Sequence, residues 1–333
     1  MGGSGRAGGN RARQRALSRT VAAGFHGLAW LGARTPFARP ARHGVEVIRN
    51  VPYSGSGLQE HQLDIYRPLD RSGALPVVFY VHGGGFRALS KDTHWVMGLQ
   101  FARAGYLVVN IDYRLAPGHP FPAAWQDTAL AWHWLLREVS AWGGDPGRIA
   151  VAGESAGANL VSALTLMTVV RRPEPWAQAV FDAGVVPAAV LPACGILQVS
   201  DAERFGRRRP LPFFVRDVIE DIPRSVLPTD ETDTGLADPL LMMEAGPLDR
   251  PLPSFFLPVG TRDPILDDTR RMAAAVAARG GVVEARYYPG EIHAFHALLW
   301  RSGARACWRD MRNFLATQLQ PGTPGPRRDD ART

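Results

Sequence analysis

Cysteine is scarce: only Cys194 and Cys307 occur in 333 residues, far apart and with no His or Cys neighbour at ligand spacing. That excludes a disulfide framework and gives no support for a zinc site. Cys194 lies in the apolar run 188–199 and reads as a buried free thiol. Such low cysteine use points to the cytoplasm. The apolar stretch 21–31 is too short to span a bilayer, and no small-residue cleavage site clearly follows it. Acidic residues are absent from the first 45 positions, which carry eight arginines. Of the formal charge of +7, +8 lies in residues 1–45 and +1 in 318–333, which leaves 46–317 at −2. A body this close to neutral has no basic footprint for a nucleic acid. The apolar fraction of 46% excludes disorder of the whole chain, and the length allows one large core or a core with a small lid.

What is present falls into five stretches. Residues 1–45 form a basic arm, Gly- and Arg-rich and disordered over its first dozen positions. Leu17, Val21, Phe25, Leu28 and Leu31 then fall at helical spacing. This helix is read as a lid over an active site in preference to a basic helix on an anionic membrane surface, a weak contact that stays open. Residues 46–200 alternate strand and helix patterns: strands at 62–66, 76–81, 107–112, 148–152 and 188–199, helices at 93–104, 123–142 and 156–170. The alternation stops over 201–250, rich in Pro, Arg and acids, which reads as an insertion rather than core. It resumes over 251–318 with strands at 254–260 and 282–288 and helices at 267–279 and 301–318. Residues 319–333 read as a disordered tail. Alternating strands and helices predict an α/β fold, a mostly parallel sheet with helices on both faces.

Gly153-Glu154-Ser155-Ala156-Gly157 sits where an apolar strand meets a helix. The pattern alone is weak; its context gives it meaning. Small residues around a tight strand-to-helix turn let a serine project above the sheet in strained backbone, at a helix N-terminus that favours negative charge. Upstream, His82-Gly83-Gly84-Gly85-Phe86 follows an apolar strand. Consecutive glycines can aim backbone N–H groups at one point, and the donors to a tetrahedral oxyanion are read as Gly84, Gly85 and Ala156. A serine hydroxyl needs a base, and the base an orienting acid. Both follow at strand ends, Asp263 in Val259-Gly-Thr-Arg-Asp and His293 in Gly290-Glu-Ile-His. Asp267 and Asp268 compete for the acid role but read as helix caps, and His296 competes with His293 one helical turn on. His82 reads as a residue that orients the glycine loop through hydrogen bonds.

His82-Gly-Gly-Gly-Phe, Asp112-Tyr-Arg-Leu-Ala-Pro with Phe121-Pro-Ala-Ala, Gly153-Glu-Ser-Ala-Gly, Asp263-Pro-Ile-Leu-Asp and His293-Ala-Phe, in this order, resemble the hormone-sensitive-lipase family of carboxylesterases. The likeness spans about 45–318. It implies an α/β-hydrolase fold with a helical lid, a Ser155–His293–Asp263 triad acting on a small-molecule ester of short to medium acyl length, and no metal or organic cofactor. Asp112 and Arg114 are implied to be a structural polar pair behind the oxyanion loop. Three positions depart from the family: Glu154 for the commoner Asp, Ala158 for Gly, and Ala294 for the Gly after the histidine. Formamide hydrolysis of the arylformamidase kind shares the same chemistry, and the family also holds hormone receptors that have lost the catalytic histidine.

Overall fold

The computed structural model describes residues 20, 23, 24, 26, 27, 29–208, 210–228 and 234–320. The start, and the tail apart from Leu319 and Gln320, both expected to be disordered, fall outside these residues, as does half of the helix expected over 16–31; the described residues of that stretch, and the chain on to 33, are helical. Among the described residues no helix is long and apolar enough to cross a membrane.

Eight strands form one sheet: β1 (Val45–Pro52), β2 (Gln62–Pro68), β3 (Leu75–Val81), β4 (Leu107–Ile111), β5 (Gly144–Glu154), β6 (Ala189–Ala193), β7 (Ser254–Gly260) and β8 (Val283–Tyr288). Their order is β1-β2-β4-β3-β5-β6-β7-β8, with β2 antiparallel to both neighbours and the other pairs parallel. Parallel strands covered on both faces should be apolar throughout, and β3 meets that demand. Val77, Phe79 and Val81 face one core layer with Trp125 and Trp132, while Val78 and Tyr80 face the other with Phe101 and Trp308. Burying each such side chain contributes roughly 1.5–3 kcal/mol.

Helices α1 (Trp95–Arg103), α2 (Ala123–Glu138), α3 (Ala156–Val169) and α4 (Pro175–Asp182) link β3 through β6. Every residue of α3 is buried, as an all-round apolar helix requires. After β6 come α5 (Arg204–Arg208), α6 (Phe213–Val226) and α7 (Pro239–Ala245), then α8 (Leu266–Ala278) and α9 (Ser302–Gln318) around the last two strands. The stretch 201–250, expected to be an insertion rather than core, adds no strand among its described residues. Yet Phe205, Ile222, Val226, Leu240 and Met243 are buried in the main core, so it is not merely peripheral. The strand expected over 188–199 is shorter, ending at Ala193 where Cys194 takes a left-handed φ of 39°.

The chain goes from β3 outward to β4 and returns to β5 on the other side of β3. Such a reversal opens a crevice at the carboxyl ends of the two strands. The glycine loop leaves β3 there, and Ser155 leaves β5.

Candidate active site

β5 ends at Glu154 and α3 begins at Ala156, so Ser155 makes the whole reversal. Its φ of 54° and ψ of −114° lie outside the regions a side-chain-bearing residue ordinarily occupies. The flanking glycines are required by contact. A Cβ on Gly153 would come within 2.6 Å of the Gly157 carbonyl oxygen, and one on Gly157 within 2.1 Å of that of Val81. The Ser155 N–H donates to Ala193 O at 3.0 Å, which ties the turn to β6. Its side chain forms no cap hydrogen bond to α3.

The glycine loop is held open by its own backbone. Gly84 and Gly85 have φ of 119° and 61°, and a Cβ on Gly84 would meet Ala88 O at 2.0 Å. Gly84 O accepts from the N–H groups of Arg87 and Ala88 at 3.1 and 3.2 Å. Among the described residues the N–H groups of Gly84, Gly85 and Ala156 have no acceptor within the chain. His82 is buried, its Nδ1 2.7 Å from Gly83 O and its ring stacked on Tyr113 at 4.3 Å. Burial pulls its pKa down to about 3, so it is a neutral anchor for the loop.

Asp263 and His293 follow the ends of β7 and β8. Their loops are joined by the Arg262 N–H donating to Glu291 O at 2.9 Å. Asp263 is fully buried; its Oδ1 accepts the Ile265 N–H and its Oδ2 the His293 Nδ1–H, both at 2.9 Å. The His293 side chain is 34% exposed. Burial alone would lower its pKa, but the Asp263 carboxylate and the Cys194 side chain outweigh that and carry it well above the ordinary imidazole value. Ala294 has φ 53°, which explains why glycine is the usual residue there: the conformation is left-handed, and Ala bears its strain.

Several expectations change. Asp267 and Asp268 lie in the first turn of α8, whose cap is Ile265. Asp268 is no cap: it accepts the Leu197 N–H at 2.8 Å and pairs with Arg204. His296 is buried with Nδ1 unpartnered, and burial pulls its pKa down to about 3. Asp112 and Arg114 do not pair with each other. Arg114 grips Asp127 through two nitrogens at 2.7–3.0 Å, whereas Asp112 accepts the Lys91 N–H at 2.6 Å. An arginine finds its carboxylate through the fold, and Asp127 stands on α2, one element further along the chain.

Three contributors carry no sequence signal. The Cys194 thiol, His293 and Asp263 offer atoms within 4.8 Å of one another. These are metal-ligand types, but His293 Nδ1 is committed to Asp263, and burial pushes the Cys194 thiol up, away from thiolate. The thiol is therefore a hydrogen-bonding neighbour of His293 rather than a metal ligand. Arg87, just past the glycines, forms an ion pair with Asp221 of α6 and donates to Val218 O at 3.3 Å. Glu154, beside the nucleophile, accepts the Gly83 N–H at 2.5 Å and lies 2.7 Å from His94 Nε2.

A family profile of the α/β hydrolase fold matches residues 78–297. The chain belongs to this family. Carboxylesterase NlhH of Mycobacterium tuberculosis is 31% identical over 268 residues, 79% of this chain and 80% of that protein. The crystal structure of esterase LipW from Mycobacterium marinum aligns with a TM-score of 0.74 at 26% identity, over 91% of this chain and 90% of that one. An esterase from the bacterial hormone-sensitive lipase family aligns at 0.66 and 28% identity, over 83% and 86%. The chain's resemblance to hormone-sensitive-lipase-family esterases thus extends from motifs to the whole architecture.

Proposed function

We propose that the protein is a serine carboxylesterase that hydrolyses small esters of short to medium acyl length through an acyl-enzyme on Ser155. The observation that carries the reading is the Asp263–His293 contact at 2.9 Å, which follows the carboxyl ends of β7 and β8 as the strained elbow at Ser155 follows that of β5. With Nδ1 held by Asp263, Nε2 is the nitrogen left to take the Ser155 proton as the hydroxyl attacks the acyl carbon. The oxyanion then draws on the free N–H groups of Gly84, Gly85 and Ala156, aided by the N-terminus of α3. The imidazolium protonates the leaving alcohol. Water deprotonated by the same nitrogen releases the acid. Each of these steps is carried by side chains and backbone of this chain. The relatives named as esterases support the substrate class. In this reading the described N-terminal helix and α6 serve as the lid, which is supported for α6 by its Arg87–Asp221 ion pair to the glycine loop; the N-terminal helix accepts at Ala29 O from Trp95 Nε1–H at 3.3 Å.

The test is hydrolysis of p-nitrophenyl esters of increasing acyl length by the wild type and by Ser155→Ala. Turnover with a short-to-medium optimum should fall at least about 10³-fold in the variant. A folded wild type that leaves every ester intact and hydrolyses an N-formyl arylamine would instead make it a formamidase.

A further inference from the structure

Glu154 is fully buried beside the nucleophile, yet the acyl-transfer steps do not use it. Its Oε1 serves two partners: it accepts the Gly83 N–H at 2.5 Å and lies 2.7 Å from His94 Nε2. Its Oε2 has no hydrogen-bond partner among the described residues.

The protons can be placed from the partners. His94 Nδ1 is 3.0 Å from Ser90 O, a carbonyl that can only accept, and 2.9 Å from Thr93 Oγ1, whose one hydrogen is donated to Ser90 O at 2.7 Å, so Nδ1 carries a hydrogen. A hydrogen on Nε2 as well would make His94 an imidazolium. The ring is largely buried, stacks against His82 at 5.4 Å, and is 6.4 Å from Tyr80. A buried cation there is disfavoured. Nε2 then presents a lone pair to Glu154, and the proton in that contact must come from the carboxyl. A hydroxyl oxygen can donate to Nε2 and still accept from Gly83, which a single carboxylate oxygen facing a lone pair cannot do. An ionised carboxylate would also leave Oε2 buried and unpaired, a larger cost than an unpaired carbonyl oxygen.

We propose that Glu154 is a neutral carboxylic acid that donates to His94 Nε2 while accepting the Gly83 N–H, and that this pair positions the oxyanion loop against Ser155. The inference rests on the esterase reading of this site. Gly83 is the first residue of the turn that presents Gly84 and Gly85. A Cβ there would come 3.0 Å from Glu154 Oε1 and 3.3 Å from Ser155 Cβ. Holding Gly83 to Glu154 therefore fixes the distance between loop and nucleophile. Neutrality matters because a carboxylate next to Ser155 would repel the charge that develops on the substrate oxygen. Titratable groups face the pair from every side: His94 before α1, His82 on the glycine loop, His293 after β8, His26 near both His82 and His94, and Lys91 and Asp112 behind His82. Burial outweighs their effect on Glu154 and pushes its pKa up to about 8, while burial pulls His94 down to about 4.

The experiment uses the full chain and three proteins: wild type, Glu154→Gln and Glu154→Asp. A glutamine separates donor and acceptor onto different atoms, so it cannot serve Gly83 and His94 from one position. With p-nitrophenyl butyrate, kcat should fall at least about tenfold in Glu154→Gln, with KM within about twofold. Affinity for an alkyl trifluoromethyl ketone, which mimics the tetrahedral oxyanion, should fall in parallel. Glu154→Asp, which keeps the acid, should recover part of both. In pH-difference infrared spectra the wild type should show the carbonyl band of a protonated carboxylic acid near neutral pH, fading through about pH 8 and absent from Glu154→Gln. No such band, or a Glu154→Gln variant with unchanged kcat and inhibitor affinity, overturns the proposal. A wild type without esterase activity would overturn the functional reading instead, while the infrared band would still report the protonation of Glu154.

Discussion

At the scale of the residue, the site depends on the charge state of His293. Its pKa is raised chiefly by the Asp263 carboxylate, with Cys194 adding to the effect against the opposing pull of burial. In the proposed mechanism the base must be unprotonated to take the serine proton, so activity should be lost as pH falls through this raised pKa. The acid limb of kcat/KM should therefore lie above pH 6.5, the ordinary imidazole value. Asp263→Asn removes the charge that stabilises the imidazolium. It should move that limb to lower pH and cut the plateau about 10³–10⁴-fold. A pH–rate profile of both proteins checks this. A wild-type limb below the ordinary value would mean that burial, not Asp263, sets the base.

At the scale of the element, α6 is joined to the glycine loop by one cation. Arg87 forms its ion pair with Asp221 and donates to Val218 O, and both side chains are largely screened from water, at 13% and 14% exposure. Breaking a pair this enclosed costs about 2–3 kcal/mol locally, less than a fully buried pair. Asp221→Asn should speed amide exchange through 213–226 while α3 stays protected, and should lower kcat only severalfold. Hydrogen-exchange mass spectrometry separates this outcome from uniform destabilisation. The same element explains what the sequence conceals. Strands β3, β4 and β5 were legible because burial on both faces demands unbroken apolar runs, and the elbow and glycine loop were legible because their geometry admits little but glycine. β1 was not, since an edge strand with sequence Val-Glu-Val-Ile-Arg-Asn-Val-Pro is half exposed and carries no clean alternation. Nor were the helices of 201–250, where Pro and Arg mask residues that are buried only once the fold exists. The candidate triad could be read from order and strand ends. The contacts of Glu154 with His94, of Arg114 with Asp127 and of Cys194 with the dyad could not, because their partners meet only through tertiary packing.

At the scale of the molecule, one residue ties the antiparallel edge of the sheet to the site. Lys91 is the only lysine in the chain, and it is 2% exposed. Its Nζ donates to Asn50 Oδ1 on β1 at 2.7 Å and lies 3.1 Å from Asp64 Oδ1 on β2. Its backbone N–H binds Asp112 after β4, and its carbonyl accepts from the Asn110 side chain at 3.0 Å. Reaching this ammonium with a reagent requires parting two strands from the loop that follows the glycine turn, an opening comparable to unfolding the domain. An amine-acylating reagent should therefore leave Lys91 unmodified in the native protein and label the α-amino group alone. In a denaturant series, acylation of Lys91 followed by mass spectrometry should appear at the midpoint where activity and far-ultraviolet dichroism are lost. Lys91→Met, which among the described residues leaves the buried Asp64 with the half-exposed Arg49 as its cationic partner, should lower that midpoint by the equivalent of about 3 kcal/mol. Acylation of Lys91 well below the midpoint would show instead that the β1–β2 edge opens on its own, so that the sheet is not one cooperative unit.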